Sequence, residues 1–233
     1  MKGLIPATLA LSAMLTAAPA LAATQPYTIT SFDSIRVNAP VRVVIATGAG
    51  VSARGEGSRD ALDRVDLTVS GTVLTVRMKA PQAGEKAAGP VTLTLSTGQL
   101  GRVLLSGGGS VAVDRMKGLR GDLVLAGGGD IAVGAVALDR LDVVVTGSGR
   151  VTLAGMAGVF NADVSGPGAL AAEGLKTKQA KLVSTGPGSI VLTAATSADI
   201  NARGSGDVTV TGKAACKVYR GGTGRIVCGG EDY

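Results

Sequence analysis

Ser106-Gly107-Gly108-Gly109-Ser110-Val111-Ala112-Val113 is echoed by Ala126-Gly127-Gly128-Gly129-Asp130-Ile131-Ala132-Val133, and again by Thr146-Gly147-Ser148-Gly149-Arg150-Val151-Thr152-Leu153. The Gly-x-Gly phrase occurs seven times in register, its first glycine at Gly107, Gly127, Gly147, Gly166, Gly186, Gly204 and Gly222. The spacings are 20, 20, 19, 20, 18 and 18 residues. Four residues before that glycine stand Val103, Leu123, Val143, Ala162, Leu182, Ile200 and Val218; four after it stand Val111, Ile131, Val151, Leu170, Ile190, Val208 and Ile226. Chance composition does not hold apolar identity at fixed offsets through seven copies.

A period of 18–20 residues is too short for a helix pair and fits one coil of a β-solenoid. Positions two and four before the first glycine, and four and six after it, alternate along extended chain and therefore face one side, the interior. Stacking then places equivalent side chains ~4.8 Å apart in aliphatic columns, where β-branched Val and Ile pack well. The glycines mark corners, needed where φ is positive or where successive corners stack too closely for a Cβ. The leucine-rich-repeat framework is missing, and Gly127-Gly128-Gly129-Asp130 does not continue into the tandem calcium nonapeptide. The expected fold is all-β: a right-handed single-stranded parallel β-helix with an N-terminal β cap region.

These rungs, together with Phe32-Asp33-Ser34-Ile35-Arg36-Val37, resemble the family of putative autotransporter adhesins with a head GIN domain. The resemblance runs from about Tyr27 to Gly230 and implies a right-handed parallel β-helix in an envelope or secreted protein. The family phrase, commonly S-G-S-G-D, drifts here to forms such as Thr185-Gly186-Pro187-Gly188-Ser189. No translocator barrel is expected after the last coil.

The N-terminus reads as a secretory signal over residues 1–22. Met1-Lys2 is followed by an apolar stretch from Leu4 to Leu15, and Ala20-Leu21-Ala22 suits cleavage before Ala23. That stretch of about 12 residues falls short of the ~20 a membrane span requires. No later stretch is long enough, so the mature chain is expected to be exported without a span, to periplasm, cell surface or medium. Residues 23–97 read as N-terminal strands, cap and first rungs, with a separate domain as the alternative, 98–230 as regular rungs, and 231–233 as a tail. Val41–Ile45, Val65–Val69, Val73–Met78 and Val91–Leu95 are strand-like, with a hairpin turn at Ser70-Gly71-Thr72. Residues 60–64 suit a helical turn and residues 80–90 an exposed loop.

Composition excludes much chemistry. The 233-residue chain has no His, which removes imidazole bases and His-ligated metals. Its two cysteines cannot by themselves build a thiolate zinc or iron–sulfur site. No cofactor is expected. Cys216 and Cys228 flank the last Gly-x-Gly and, in an oxidising compartment, suit a disulfide worth ~3 kcal/mol against fraying; two free thiols are the alternative. The net charge of +6, which becomes +5 once Lys2 leaves, is spread along the chain without a basic cluster. Nucleic acid is therefore not an expected partner. Aromatic residues, the usual sugar platforms, make up 2% of the chain.

Two outward rows remain as candidate sites. Five residues before the first glycine run Arg102, Asp122, Asp142, Asn161, Lys181, Asp199 and Lys217. Asp122 and Asp142 with Arg102 could serve as cation ligands or an acid–base pair on a glycan; the plain reading is a solvated polar ladder. Three residues before the glycine run Leu104, Val124, Val144, Asp163 and Val183. An apolar stripe on an outward face implies cover, by the N-terminal half or by another protein. The sequence therefore points to a non-catalytic, adhesin-like scaffold for a protein or cell-envelope component. A glycan-active β-helix enzyme and an end-to-end structural homo-oligomer are the alternatives.

Overall fold

The computed structural model describes residues 23–80 and 89–233. The expected signal segment, and most of the loop expected between Ala80 and Pro90, lie outside the described residues. The chain forms a parallel β-solenoid of about six turns. Its N-terminal elements are β1 (Ala23–Tyr27), β2 (Ser34–Asn38), β3 (Arg42–Thr47), β4 (Ser52–Gly57), α1 (Arg59–Asp63), β5 (Val65–Ser70), β6 (Val73–Met78), β7 (Thr92–Thr97) and β8 (Arg102–Ser106). Long, bent strands follow: β9 (Ser110–Ala126), β10 (Asp130–Val145), β11 (Arg150–Val164), β12 (Ala169–Ser184) and β13 (Ser189–Ala202). The last coils hold β14 (Val208–Thr211), β15 (Ala215–Arg220), β16 (Ile226–Cys228) and β17 (Glu231–Asp232).

The Gly-x-Gly phrases are corners. Side A is the strand segment before each one, and side B the segment after it. On side B, Val111 pairs with Ile131, Ile131 with Val151, Val151 with Leu170, Leu170 with Ile190, Ile190 with Val208, and Val208 with Ile226. All seven are buried, so the expected column exists. Each such side chain withdrawn from water contributes about 1.5–3 kcal/mol before conformational entropy is charged against it. The two physical roles of the corner glycines are both present. Gly107 has φ +123°, whereas at Gly166 a Cβ would stand 2.6 Å from the carbonyl oxygen of Gly147 below.

A third side, C, closes each coil through residues 115–118, 135–138 and their equivalents. Outward residues in succession, Asp114 with Arg115 and then Leu119 with Arg120, mark the corners where the strict alternation breaks. Inside side C lie Met116, Val136, Leu138, Ala157 and Leu175, part of one core cluster that runs from Phe32 to Cys228.

The N-terminal half joins this stack in an order the sequence does not announce. β2 pairs in parallel with both β6 and β8, and β3 with both β7 and β9. The coil of residues 34–47 is thus laid between two coils that follow it in the chain. The antiparallel hairpin β5–β6 turns at Gly71, whose φ is +61°. Antiparallel β4 and β1 then add beyond β7, so the edges at this end are occupied by strands of the same chain. Ser58 caps α1 by accepting from the Ala61 amide, and Ala61 and Leu62 are buried beneath it. At the far end Glu231 and Asp232, expected as tail, pair antiparallel with β16.

Candidate functional site

The polar row expected on side A is in register. Arg102 pairs with Asp122, Asp122 with Asp142, Asp142 with Asn161, Asn161 with Lys181, Lys181 with Asp199, and Asp199 with Lys217. Parallel pairing of equal offsets brings these residues together, because each coil repeats the same corner. Their chemistry is mutual. Asp122 accepts from Arg102 Nη2 at 2.9 Å. Asp142 accepts from Arg140 Nε at 3.0 Å and from Asn161 Nδ2 at 2.6 Å. Partial burial alone would raise the Asp142 carboxyl. The hydrogen bonds from Arg140 and Asn161, with the guanidinium charges of Arg140 and Arg120, outweigh it and hold the group below its ordinary value. Within the row, Arg102 with Asp122 and Arg140 with Asp142 and Asn161 thus form two hydrogen-bonded sets. Further along, Lys217 Nζ lies 5.2 Å from the Tyr219 ring centroid, a cation–π contact. No cluster of three or more metal-ligating side chains occurs among the described residues.

The aliphatic row lies beside it. Leu104 pairs with Val124, Val124 with Val144, Val144 with Asp163, and Asp163 with Val183. Leu104, Val124, Val144 and Val183 are half-buried and Asp163 is exposed. The N-terminal strands do not fold across this stripe. They extend the same face end-on, with Arg36 of β2 next to Leu104. Of the two covers considered from sequence, the intramolecular one is therefore not formed among the described residues. A shallow groove of about 300 Å³ runs between the two rows, with Val144 and Val183 on one flank and Asp142 and Lys181 on the other.

Cys216 and Cys228 form a disulfide with Cα atoms 6.2 Å apart. Both occupy inward columns. Cys216 pairs with Ala198 and Cys228 with Val210, so the bridge spans the interior of the final coil and closes the end of the core.

Sequence reading missed side C. Met116, Val136 and Leu175 recur nine residues after the first glycine of their phrases and face inward, a signal that was available. Met156 occupies the same offset yet is 65% exposed. Its coil is one residue shorter than the coil before it, so Gly155 takes the place opposite Val136 and Met156 is turned outward opposite Ala137.

Residues 31–214 match the family model described as "Putative auto-transporter adhesin, head GIN domain". The chain belongs to that family of adhesin-like β-helix proteins. Among solved structures it is similar to a "putative adhesin" of Bacteroides fragilis, at TM-score 0.81 and 20% identity over 88% of this chain and 95% of that one. It is also similar to a "putative lipid binding protein" of Parabacteroides distasonis, at TM-score 0.68 and 19% identity over 88% and 96% of the two chains. A "putative adhesin" of Parabacteroides merdae follows at TM-score 0.65 and 18% identity, over 88% and 95%. At these identities the likeness concerns the fold. No protein with a curated description matches the chain.

Proposed function

We propose that this chain is an exported, non-catalytic scaffold that presents side A to a protein or other component of the cell envelope. The observation that carries the reading is the register that lines up Leu104, Val124 and Val144 as a half-buried aliphatic stripe beside a polar row in which Asp122 and Asp142 are hydrogen-bonded. A flat, rigid strip with apolar residues on one edge and hydrogen-bonding groups on the other suits a binding surface. The engagement of Asp122 by Arg102, and of Asp142 by Arg140 and Asn161, argues against a glycan-active acid–base pair on the same strip.

Export is supported by the signal-like residues 1–22 and by the disulfide. A photo-crosslinking side chain at Val124, compared with one at Thr152 on the outer face of side B, tests the reading in the native envelope. Adducts specific to Val124 support it; equal labelling from both positions, or none from Val124, overturns it. Mass measured against concentration separates the end-to-end oligomer, which must grow as the protein is concentrated.

A further inference from the structure

Side C carries a second surface, distinct from side A in both position and chemistry. Leu119 is 75% exposed and Met156 65% exposed, high values for such large apolar side chains. Met156, Ala137 and Ala157 line an open groove of about 440 Å³. Lys176 and Lys178 form one rim, and Lys117 continues the Met156 column through Ala137. Among the described residues Asp139 is the one carboxylate lining the groove, with Gly158 between it and Lys178 in the stack. Asp114 lies round the preceding corner and is already engaged by the Thr47 hydroxyl at 2.9 Å. None of the three lysines makes an ion pair among the described residues.

An apolar centre with unpaired lysines on its rim matches a surface that is negatively charged outside and hydrocarbon beneath. We propose that side C is a contact surface for an anionic lipid bilayer, with Leu119 and Met156 entering the headgroup boundary and Lys117, Lys176 and Lys178 facing the lipid phosphates. The rigid β-sheet holds the two apolar side chains and the lysines on one side of the rod, so contact requires no refolding. The geometry fits a peripheral attachment, and among the described residues no helix is long and apolar enough to cross a membrane.

The chain contains no Trp, so Met156→Trp and Leu119→Trp each create a single fluorescent reporter. With vesicles of phosphatidylglycerol and phosphatidylcholine in equal parts, both reporters shift to shorter wavelength and are quenched by brominated acyl chains, while Val51→Trp does not respond. Added salt reverses the shift. Lys176→Gln with Lys178→Gln, in a Met156→Trp background, weakens apparent affinity by about thirtyfold. Co-flotation of the otherwise unaltered chain, with and without the two glutamines, reads the same loss should a tryptophan variant fail to fold. Equal response to pure phosphatidylcholine, no response at either side-C reporter, or an equal response at Val51→Trp overturns the proposal. Because the assay uses purified protein and side-C residues alone, its failure leaves the side-A reading standing.

Discussion

Gly147 sits over Gly127 so closely that a methyl group on Gly147 would overlap the carbonyl oxygen of Gly127. The same contact recurs at Gly166 over Gly147 and at Gly186 over Gly166, so the corner column is a continuous backbone stack. Gly147→Ala must push two coils apart, and overpacking of this kind costs about 1–3 kcal/mol. Gly108→Ala, at the middle position of the first corner with open space around it, should be close to neutral. Thermal unfolding of the two variants checks the contrast.

Ser184 occupies an inward column of side A between Val164 and Ala202, and its hydroxyl is buried without a hydrogen-bond partner among the described residues. A buried hydroxyl of this kind costs about 1–3 kcal/mol to desolvate. Ser184→Ala removes the cost with little change of volume and is expected to stabilise the protein by about 1 kcal/mol. Chemical denaturation gives the difference directly from the shift in midpoint at unchanged slope.

Removing the bridge by Cys216→Ser together with Cys228→Ser opens the end of the core. The 12-residue separation predicts a loss of about 3 kcal/mol on the chain-entropy account. Hydrogen exchange should rise first in β14, β15 and β16, while β10 and β11 stay protected, because each coil contacts only its neighbours.

The Asp142 carboxyl lies below its ordinary value in the folded chain. A depressed carboxyl stabilises the fold above its unfolded value and loses that contribution as pH falls through the folded one. The difference in stability between the natural chain and Asp142→Asn should therefore be full at pH 7 and fall away only at pH values below about 4, as the folded carboxyl itself becomes protonated. It stays under about 1 kcal/mol, since the pair with Arg140 is partly exposed. Denaturation at both pH values tests sign and size together.

The columns were legible because one-sided alternation and a fixed period determine both which residues face inward and which stack. Val111, Ile131 and Val151 needed no further information. Side C escaped because its phase changes where the coil beginning at Gly147 is one residue shorter, which turns Met156 outward and leaves Gly155 facing in. A scan at constant offset puts Met156 in the core. The place of β2 and β3 escaped for a different reason: strand pairing is non-local, and nothing within residues 34–47 states that their partners are residues 73–78, 92–97 and 102–113. The side-A stripe could be read as apolar, but its half-burial rather than full cover follows from the end-on placement of β2 beside β8, which only the assembled stack reveals.

That placement governs the order in which the molecule can be completed. Ser34–Thr47 hydrogen-bonds on each edge to segments made afterwards, so its coil stays unfinished until the chain has been made as far as Val113. This early ribbon must wait as a guest for both of its hosts. The run of repeated coils from Ser110 onward is free of that dependence and can wind one turn upon the last as it arrives.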